Sequence, residues 1–131
     1  MKYFITLLFT VSLALAGSID GFSKKLSYET NYSEALTKAK EQKKNILLIQ
    51  VSNYCPWCKK LEKKTLASSK VNALVQKNYI PLILNRDKRE YPEQFYTPIV
   101  PVSYIIDYED DSKFKQLRGY KSKNDFLFFI K

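Results

Sequence analysis

The hydrophobic and polar positions of this 131-residue chain fall into blocks of helix and strand character. Between Asn31 and Lys43, Ala35, Leu36 and Ala39 share one helical face amid lysine and glutamate. A helix capped by Asn31 or Ser33 is predicted there. Ile46 to Val51 is a nearly continuous apolar run of strand length, which suggests a central strand buried on both faces. Trp57 to Lys64 reads as a helix, with Leu61 and Leu66 continuing its apolar face among lysines. Ser68 or Ser69 caps a further helix carrying Val71, Leu74 and Val75. Tyr79 to Asn85 is a second buried strand, with Pro81 near its start. Arg86 to Tyr96 is polar, contains Pro92 and reads as a loop with room for one helical turn. Val102 to Asp107 and Phe114 to Tyr120 are strands three and four, joined by the acidic turn Glu109 to Ser112. Gly119 implies a bulge or a close backbone approach in the last strand. Ser122 caps a final helix, with Phe126, Phe129 and Ile130 expected to face inward. Residues 17–30 show only weak periodicity. This order predicts an α/β sandwich with a central four-stranded mixed sheet flanked by helices. The first two strands should be parallel across a helical crossover, and the last two antiparallel across a tight turn.

Residues 1–16 stand apart. Lys2 provides a positive start, Tyr3 to Leu15 an apolar stretch, and Ala14-Leu15-Ala16 an A-x-A cleavage pattern before Gly17. This is the layout of a secretory signal peptide, and the stretch is short of the roughly 20 residues that span a bilayer. The expected organisation is therefore a signal peptide over 1–16 and one domain over 17–131, with an uncleaved membrane tether and then a buried helix as the alternatives. The expected compartment is the periplasm, without stable membrane insertion after cleavage. The composition, 45% hydrophobic with only 3 glycines, suits one modest core. The formal charge of +9 falls to +8 without Lys2. The plain reading of this charge is a solvated basic surface, and the sharper one a preference for acidic partners or a membrane face. Export and the lack of an RNA-binding aromatic pattern argue against nucleic acid.

The only two cysteines are Cys55 and Cys58, in the order Cys55-Pro56-Trp57-Cys58. They sit where an apolar strand gives way to a helix. A strand end presents the first thiol at a surface, and a helix N-terminus stabilises its thiolate. A structural disulfide and a zinc half-site compete with this redox reading. With no histidine and two cysteines, the chain cannot complete a tetrahedral zinc site alone. No metal and no bound cofactor are expected.

Taken together, the run Asn45 to Lys60, the lysine-rich lead-in Ala35 to Lys44, and Ile99-Val100-Pro101-Val102 before the third strand resemble a thioredoxin-like protein. The resemblance covers residues 30–131 and implies a thioredoxin-like sandwich. It places Pro101 at the family's cis-proline, with Pro98 as the competing position. The chain departs from thioredoxin itself, which carries Gly-Pro between its cysteines and a buried Asp six residues before the first. Here Pro56-Trp57 and Ile49 stand at those places, with Gln50 beside. Pro56 after the first cysteine and Val100 before the proline are similar to the periplasmic oxidase DsbA. Its dipeptide histidine and helical insertion are absent, and the compact length looks more like a reductase.

The resemblance implies an exported thiol:disulfide oxidoreductase. Cys55 is the expected nucleophile and Cys58 the resolving thiol one turn later, so a redox-active disulfide replaces any cofactor. Val100 and Pro101 are expected to bind the partner's extended backbone. Trp57 is expected to be a platform beside them or to pack on the loop. Pro56 occupies the first helical turn and removes a possible donor to the Cys55 sulfur, which tunes the potential. Tyr54 is read as a shield for the nucleophile or a core residue, Tyr91 and Tyr96 as rim residues, and Lys59 and Lys60 as tuning or solvated charges. The expected partners are cysteine-containing exported proteins and a membrane electron donor or acceptor. Reduction of disulfides in exported proteins is the first reading. Disulfide formation in the manner of DsbA, and a non-catalytic binding or chaperone module, are the alternatives.

Overall fold

The computed structural model describes residues 18–131; the predicted signal peptide, residues 1–16, lies outside them. Its organising element is β1 (Asn45–Val51), paired on one side with β2 (Tyr79–Asn85) and on the other with β3 (Val102–Ile106). β4 (Phe114–Arg118) completes the order β2-β1-β3-β4. β1 and β2 are parallel, whereas β3 runs antiparallel to both β1 and β4. The four-stranded mixed sheet flanked by helices is as predicted.

The continuous apolarity of β1 has the expected cause, since both its faces are covered. Leu47, Ile49 and Val51 enter one core with Leu61, Val71, Val75, Phe126 and Ile130. Ile46 and Leu48 enter the other with Phe95, Tyr104 and Ile106. Each such side chain contributes about 1.5–3 kcal/mol on burial. The helices divide accordingly. α2 (Tyr32–Gln42) covers the second core through Tyr32, Ala35 and Ala39. α3 (Pro56–Leu61), α4 (Ser69–Asn78) and α5 (Lys123–Ile130) cover the first. Asn31, not Ser33, caps α2, its side chain accepting from the Glu34 amide at 3.0 Å. Ser68 caps α4 and Ser122 caps α5.

Several boundaries differ from the sequence reading. Residues 17–30 hold a helix, α1 (Ser18–Leu26), whose Ile19, Phe22 and Leu26 pack against the first core. Ile19, Phe22 and Leu26 stand at i, i+3 and i+7, a helical stripe that the sequence reading passes over. The helix predicted over Trp57 to Lys64 is α3 followed by a π-helical turn, Glu62–Leu66. The polar loop holds two 3-10 turns, Arg86–Lys88 and Glu93–Phe95. β4 ends at Arg118, so Gly119 lies beyond it at φ +80°, and its amide donates to the Pro101 carbonyl at 2.8 Å. It marks a close backbone approach rather than a bulge, in a conformation glycine adopts freely. On α5, Leu127 takes the buried place expected of Phe129, which is only partly covered.

Although β2 lies at the sheet edge, it is buried, because Glu29 bridges to it. The Glu29 amide donates to the Pro81 carbonyl at 2.8 Å, and the Ile83 amide donates to the Glu29 carbonyl at 2.9 Å. Backbone groups of alternate residues face opposite edges. The Pro81 nitrogen therefore faces the outer side, and no bond to β1 is lost.

Candidate active site

β1 delivers the chain to the site, and the turn after Val51 carries it to Cys55. Cys55 adopts an extended conformation and caps α3, its sulfur accepting from the Cys58 amide at 3.1 Å. Pro56 follows at the first helical position, where its missing N–H costs nothing. α3 continues into the π-helical turn, so the backbone dipoles of both point positive charge at Cys55. Cys55 and Cys58 form a disulfide, with Cα atoms 5.2 Å apart. Cys58 is 1% exposed and belongs to the first core, whereas Cys55 is half-buried. Of the two sulfurs, only that of Cys55 is open to a partner.

The floor beneath the pair is apolar. Ile49 is fully buried in the same cluster as Cys58. Gln50, one residue on, points to the opposite face of the sheet and donates from Nε2 to the Phe95 carbonyl at 3.1 Å. No carboxylate therefore stands where thioredoxin has its Asp. The nearest buried carboxyl along the helix is Glu62, one turn past Cys58. Burial holds its pKa above the ordinary glutamate value, against the opposing pull of the Lys59 ammonium at 3.4 Å.

Across from Cys55 lies the loop from Tyr96 to Pro101. The Val100–Pro101 peptide is cis, and Pro98 is not. The Val100 carbonyl oxygen lies 3.8 Å from Cys55 Sγ. With the sulfur in a disulfide there is no S–H, so this is a contact; the reduced thiol has an acceptor at that oxygen. Among the described residues the Val100 amide makes no hydrogen bond. Besides the Gly119 amide at Pro101, further polar contacts hold this loop. Thr97 Oγ1 donates to the Ile99 carbonyl at 2.7 Å, Arg86 donates to the Pro98 carbonyl at 2.8 Å, and Gln50 ties its base at Phe95.

Trp57 stands 57% exposed beside this loop, its ring 5.9 Å from that of Tyr120. The Lys60 ammonium sits 4.9 Å from the Trp57 ring centre and 4.6 Å from that of Tyr120. Trp57, Val100 and Pro101 come together with Ile99, Gly119 and Tyr120 around a groove of about 410 Å³. Tyr54 is 98% exposed, so it is not a core residue. Tyr91 is not at this rim: it lines a separate cavity, and its hydroxyl donates to the Arg86 carbonyl at 2.6 Å. Tyr96 is at the loop's outer edge under the Arg89 guanidinium. Lys59 pairs with Glu62 rather than with the sulfur.

Sequence reasoning did not single out Tyr120, Gln50 or Thr65 as parts of the site. A lone amide inside an apolar strand was the available signal for Gln50. Thr65 is fully buried in the π-helical turn and donates from Oγ1 to the Lys121 carbonyl at 2.6 Å. It thereby ties the active-site helix to the segment that carries Tyr120. Among the described residues, no group of three or more His, Cys, Asp or Glu side chains is placed to hold a metal ion.

A mixed sheet with a strand-to-helix CxxC disulfide facing a cis-proline loop defines a thiol:disulfide oxidoreductase of the thioredoxin fold. The chain belongs to the thioredoxin-like family, whose model matches residues 27–107. Among solved structures it is similar to a thioredoxin from Thermus thermophilus, with 18% identity and a TM-score of 0.64 over 79% of this chain and 83% of that one. It is also similar to a DsbH oxidoreductase, with 20% identity and a TM-score of 0.64 over 78% and 80%. A third is the C-terminal domain of DsbD from Neisseria meningitidis in its reduced form, with 17% identity and a TM-score of 0.60 over 75% and 89%. At these identities the likeness is one of fold. No curated protein gives a significant match.

Proposed function

We propose that this protein is a periplasmic reductase of disulfides in exported, cysteine-containing proteins, made with a signal peptide over residues 1–16 and working as the domain 17–131. The observation that carries the reading is the inequality of the two sulfurs. Cys55 is half-buried, helix-capped and 3.8 Å from the Val100 carbonyl at the groove, while Cys58 is 1% exposed behind it. The reduced Cys55 thiolate attacks one sulfur of a substrate disulfide, a new S–S bond forms, and the second substrate sulfur leaves as a thiolate. Cys58, as a thiolate, then attacks Cys55 Sγ, releases the first substrate sulfur and closes Cys55–Cys58. Two electrons have passed to the substrate, and a dithiol electron donor at the membrane restores them. No other cofactor is needed. Trp57, Val100 and Pro101 bind the substrate segment, and Pro56 tunes the potential by withholding an N–H from the Cys55 sulfur. Between the 3-10 turn at Glu93–Phe95 and β3 there is no helical insertion, which favours the compact reductase architecture over the DsbA-like one.

Equilibration against glutathione tests the direction. A potential close to thioredoxin's value of about −270 mV fits the reductase, and one near the −120 mV of strong oxidants supports disulfide formation instead. The third possibility, a binding or chaperone module that needs no redox chemistry, requires that Cys55→Ser keep its function. Cell fractionation and the mass of the secreted product test the export route.

A further inference from the structure

Three segments supply the walls of the groove beside the disulfide: residues 54–61, 96–101 and 117–124. None of them contains Asp or Glu, yet together they carry Lys59, Lys60, Arg118, Lys121 and Lys123. Lys59 is neutralised by Glu62. Among the described residues Arg118, Lys121 and Lys123 enter no ion pair. Lys60 is held over the faces of Trp57 and Tyr120, which position its charge without cancelling it. Lys60 thus stands at the groove of about 410 Å³, and Lys121 follows Tyr120 of its wall in the chain, whereas Arg118 lines a separate pocket with Tyr104 and Gln116. The groove is within the range of sites that take a large side chain. Its walls are apolar, with Trp57 57% and Ile99 62% exposed, and it adjoins Cys55 through Val100.

From this geometry we infer a substrate preference: the groove takes an extended segment of another protein in which the reactive cysteine neighbours a large apolar residue and is flanked by carboxylates. The inference rests on the oxidoreductase reading and specifies its substrate. The apolar residue displaces water from Trp57, Ile99 and Tyr120. The carboxylates meet Lys60, held over Trp57 and Tyr120, and Lys121, next to Tyr120 in the chain, at a solvated rim. Rim charges act mainly on the rate of encounter and are screened by salt, so the preference is kinetic and strongest at low ionic strength.

The test uses the full chain carrying Cys58→Ser, reduced, and three symmetric peptide disulfides. Each peptide has a Trp-Cys centre, flanked by two Glu, two Gln or two Lys. Cys55 thiolate attacks one peptide sulfur, the peptide S–S bond breaks, one peptide joins Cys55 and the other leaves as a thiolate that takes a proton from water. The mixed disulfide is counted by mass spectrometry. Each rate is divided by that of the same peptide disulfide with free mercaptoethanol, which removes the effect of peptide charge on intrinsic sulfur reactivity. The acidic peptide should react about 10-fold or more faster than the basic one in dilute buffer, and the ratio should shrink to about 2-fold at 0.5 M salt. Replacing Trp by Ser in the acidic peptide should slow it.

Lys60→Glu with Lys121→Glu should abolish the preference. Lys40→Glu with Lys70→Glu, which changes net charge equally outside the rim, should leave most of it. Equal rates for the three peptides overturn the inference, and so does an equal loss from rim and distal pairs, which would assign the effect to net charge alone. Binding of the chain to anionic vesicles, lost with the rim pair and accompanied by no peptide preference, also overturns it in favour of a membrane face. If no peptide disulfide reacts while the chain is folded, the oxidoreductase reading itself falls.

Discussion

Cys55 Sγ and the Val100 carbonyl oxygen, 45 residues apart in sequence, face each other at 3.8 Å across the opening of the site. In the proposed mechanism this contact places the half-buried Cys55 sulfur where an incoming segment paired with the Val100 backbone would present its own. Cys58 is sealed in the core one turn behind. The two cysteines should therefore fail differently. Cys55→Ser should lower insulin reduction to the uncatalysed rate and capture nothing. Cys58→Ser should retain the first attack and accumulate one mixed disulfide per chain, visible on non-reducing gels. Capture by Cys55→Ser through Cys58 would reverse the assignment of roles.

Trp57 makes a different contribution. It is more than half exposed and stacks near Tyr120 and the Lys60 ammonium outside the two cores, so little of the fold depends on it. Trp57→Ala should raise KM for a protein disulfide by about 5- to 30-fold, the effect of losing a contact of about 1–2 kcal/mol at an aromatic anchor. The value of kcat should change little, and stability should fall by less than about 1 kcal/mol. Paired measurements of KM and kcat, with a denaturant melt, check this. A fall in kcat at unchanged KM would give Trp57 a part in the chemical step instead.

Much of this arrangement is legible in the chain because it is written in local patterns. The runs Ile46 to Val51 and Tyr79 to Asn85 are apolar at every turn of the pleat but one or two, and only a strand covered on both faces needs that. Asn31, Ser68 and Ser122 mark helix starts through their own chemistry. What the pattern does not carry is the outcome of competition between distant segments. Ile19, Phe22 and Leu26 do keep a helical spacing, but nine residues make a stable helix only once the first core exists to receive them. Phe129 and Leu127 are equally apolar, and only the packing of α5 decides that Leu127 is buried. The slip to π-helical bonding at Glu62–Leu66 leaves no trace in a hydrophobic period. The Trp57, Lys60 and Tyr120 cluster joins residues sixty positions apart, which no local period can report.

Thr65 shows how such a long-range tie can be tested. Its hydroxyl is buried and donates to the Lys121 carbonyl at 2.6 Å, next to Tyr120. Thr65→Val keeps the shape and removes the donor, leaving a carbonyl unsatisfied at a cost of about 1–2 kcal/mol. Thermal unfolding should begin about 4–8 °C lower. Trp57 is the only tryptophan, so its emission should report any loosening of Tyr120 against it. Thr65→Ser keeps the hydroxyl and should restore both the emission and most of the stability. An unchanged spectrum in Thr65→Val would detach this hydrogen bond from the groove.

Glu62 yields a prediction in which the sign depends on pH. Its side chain is 7% exposed, and burial raises its pKa from the ordinary 4.5, while Lys59 pulls it down less strongly. A carboxyl with a raised pKa in the folded state binds its proton more tightly there than in the unfolded chain. Its contribution to stability is complete below the unfolded value near 4.5 and is lost as pH rises through the folded value. At pH 7 the ionised Glu62 is therefore a net cost, offset only in part by Lys59. Glu62→Gln removes the charge and keeps the volume, so it should be more stable than the wild type at pH 7. That advantage should shrink towards zero at pH 4, where the native carboxyl is protonated. Urea melts of both proteins at the two pH values, compared at unchanged slope, measure the difference. Should Glu62→Gln prove less stable at pH 7, the Lys59 ion pair outweighs burial, and the Glu62 pKa is lowered rather than raised.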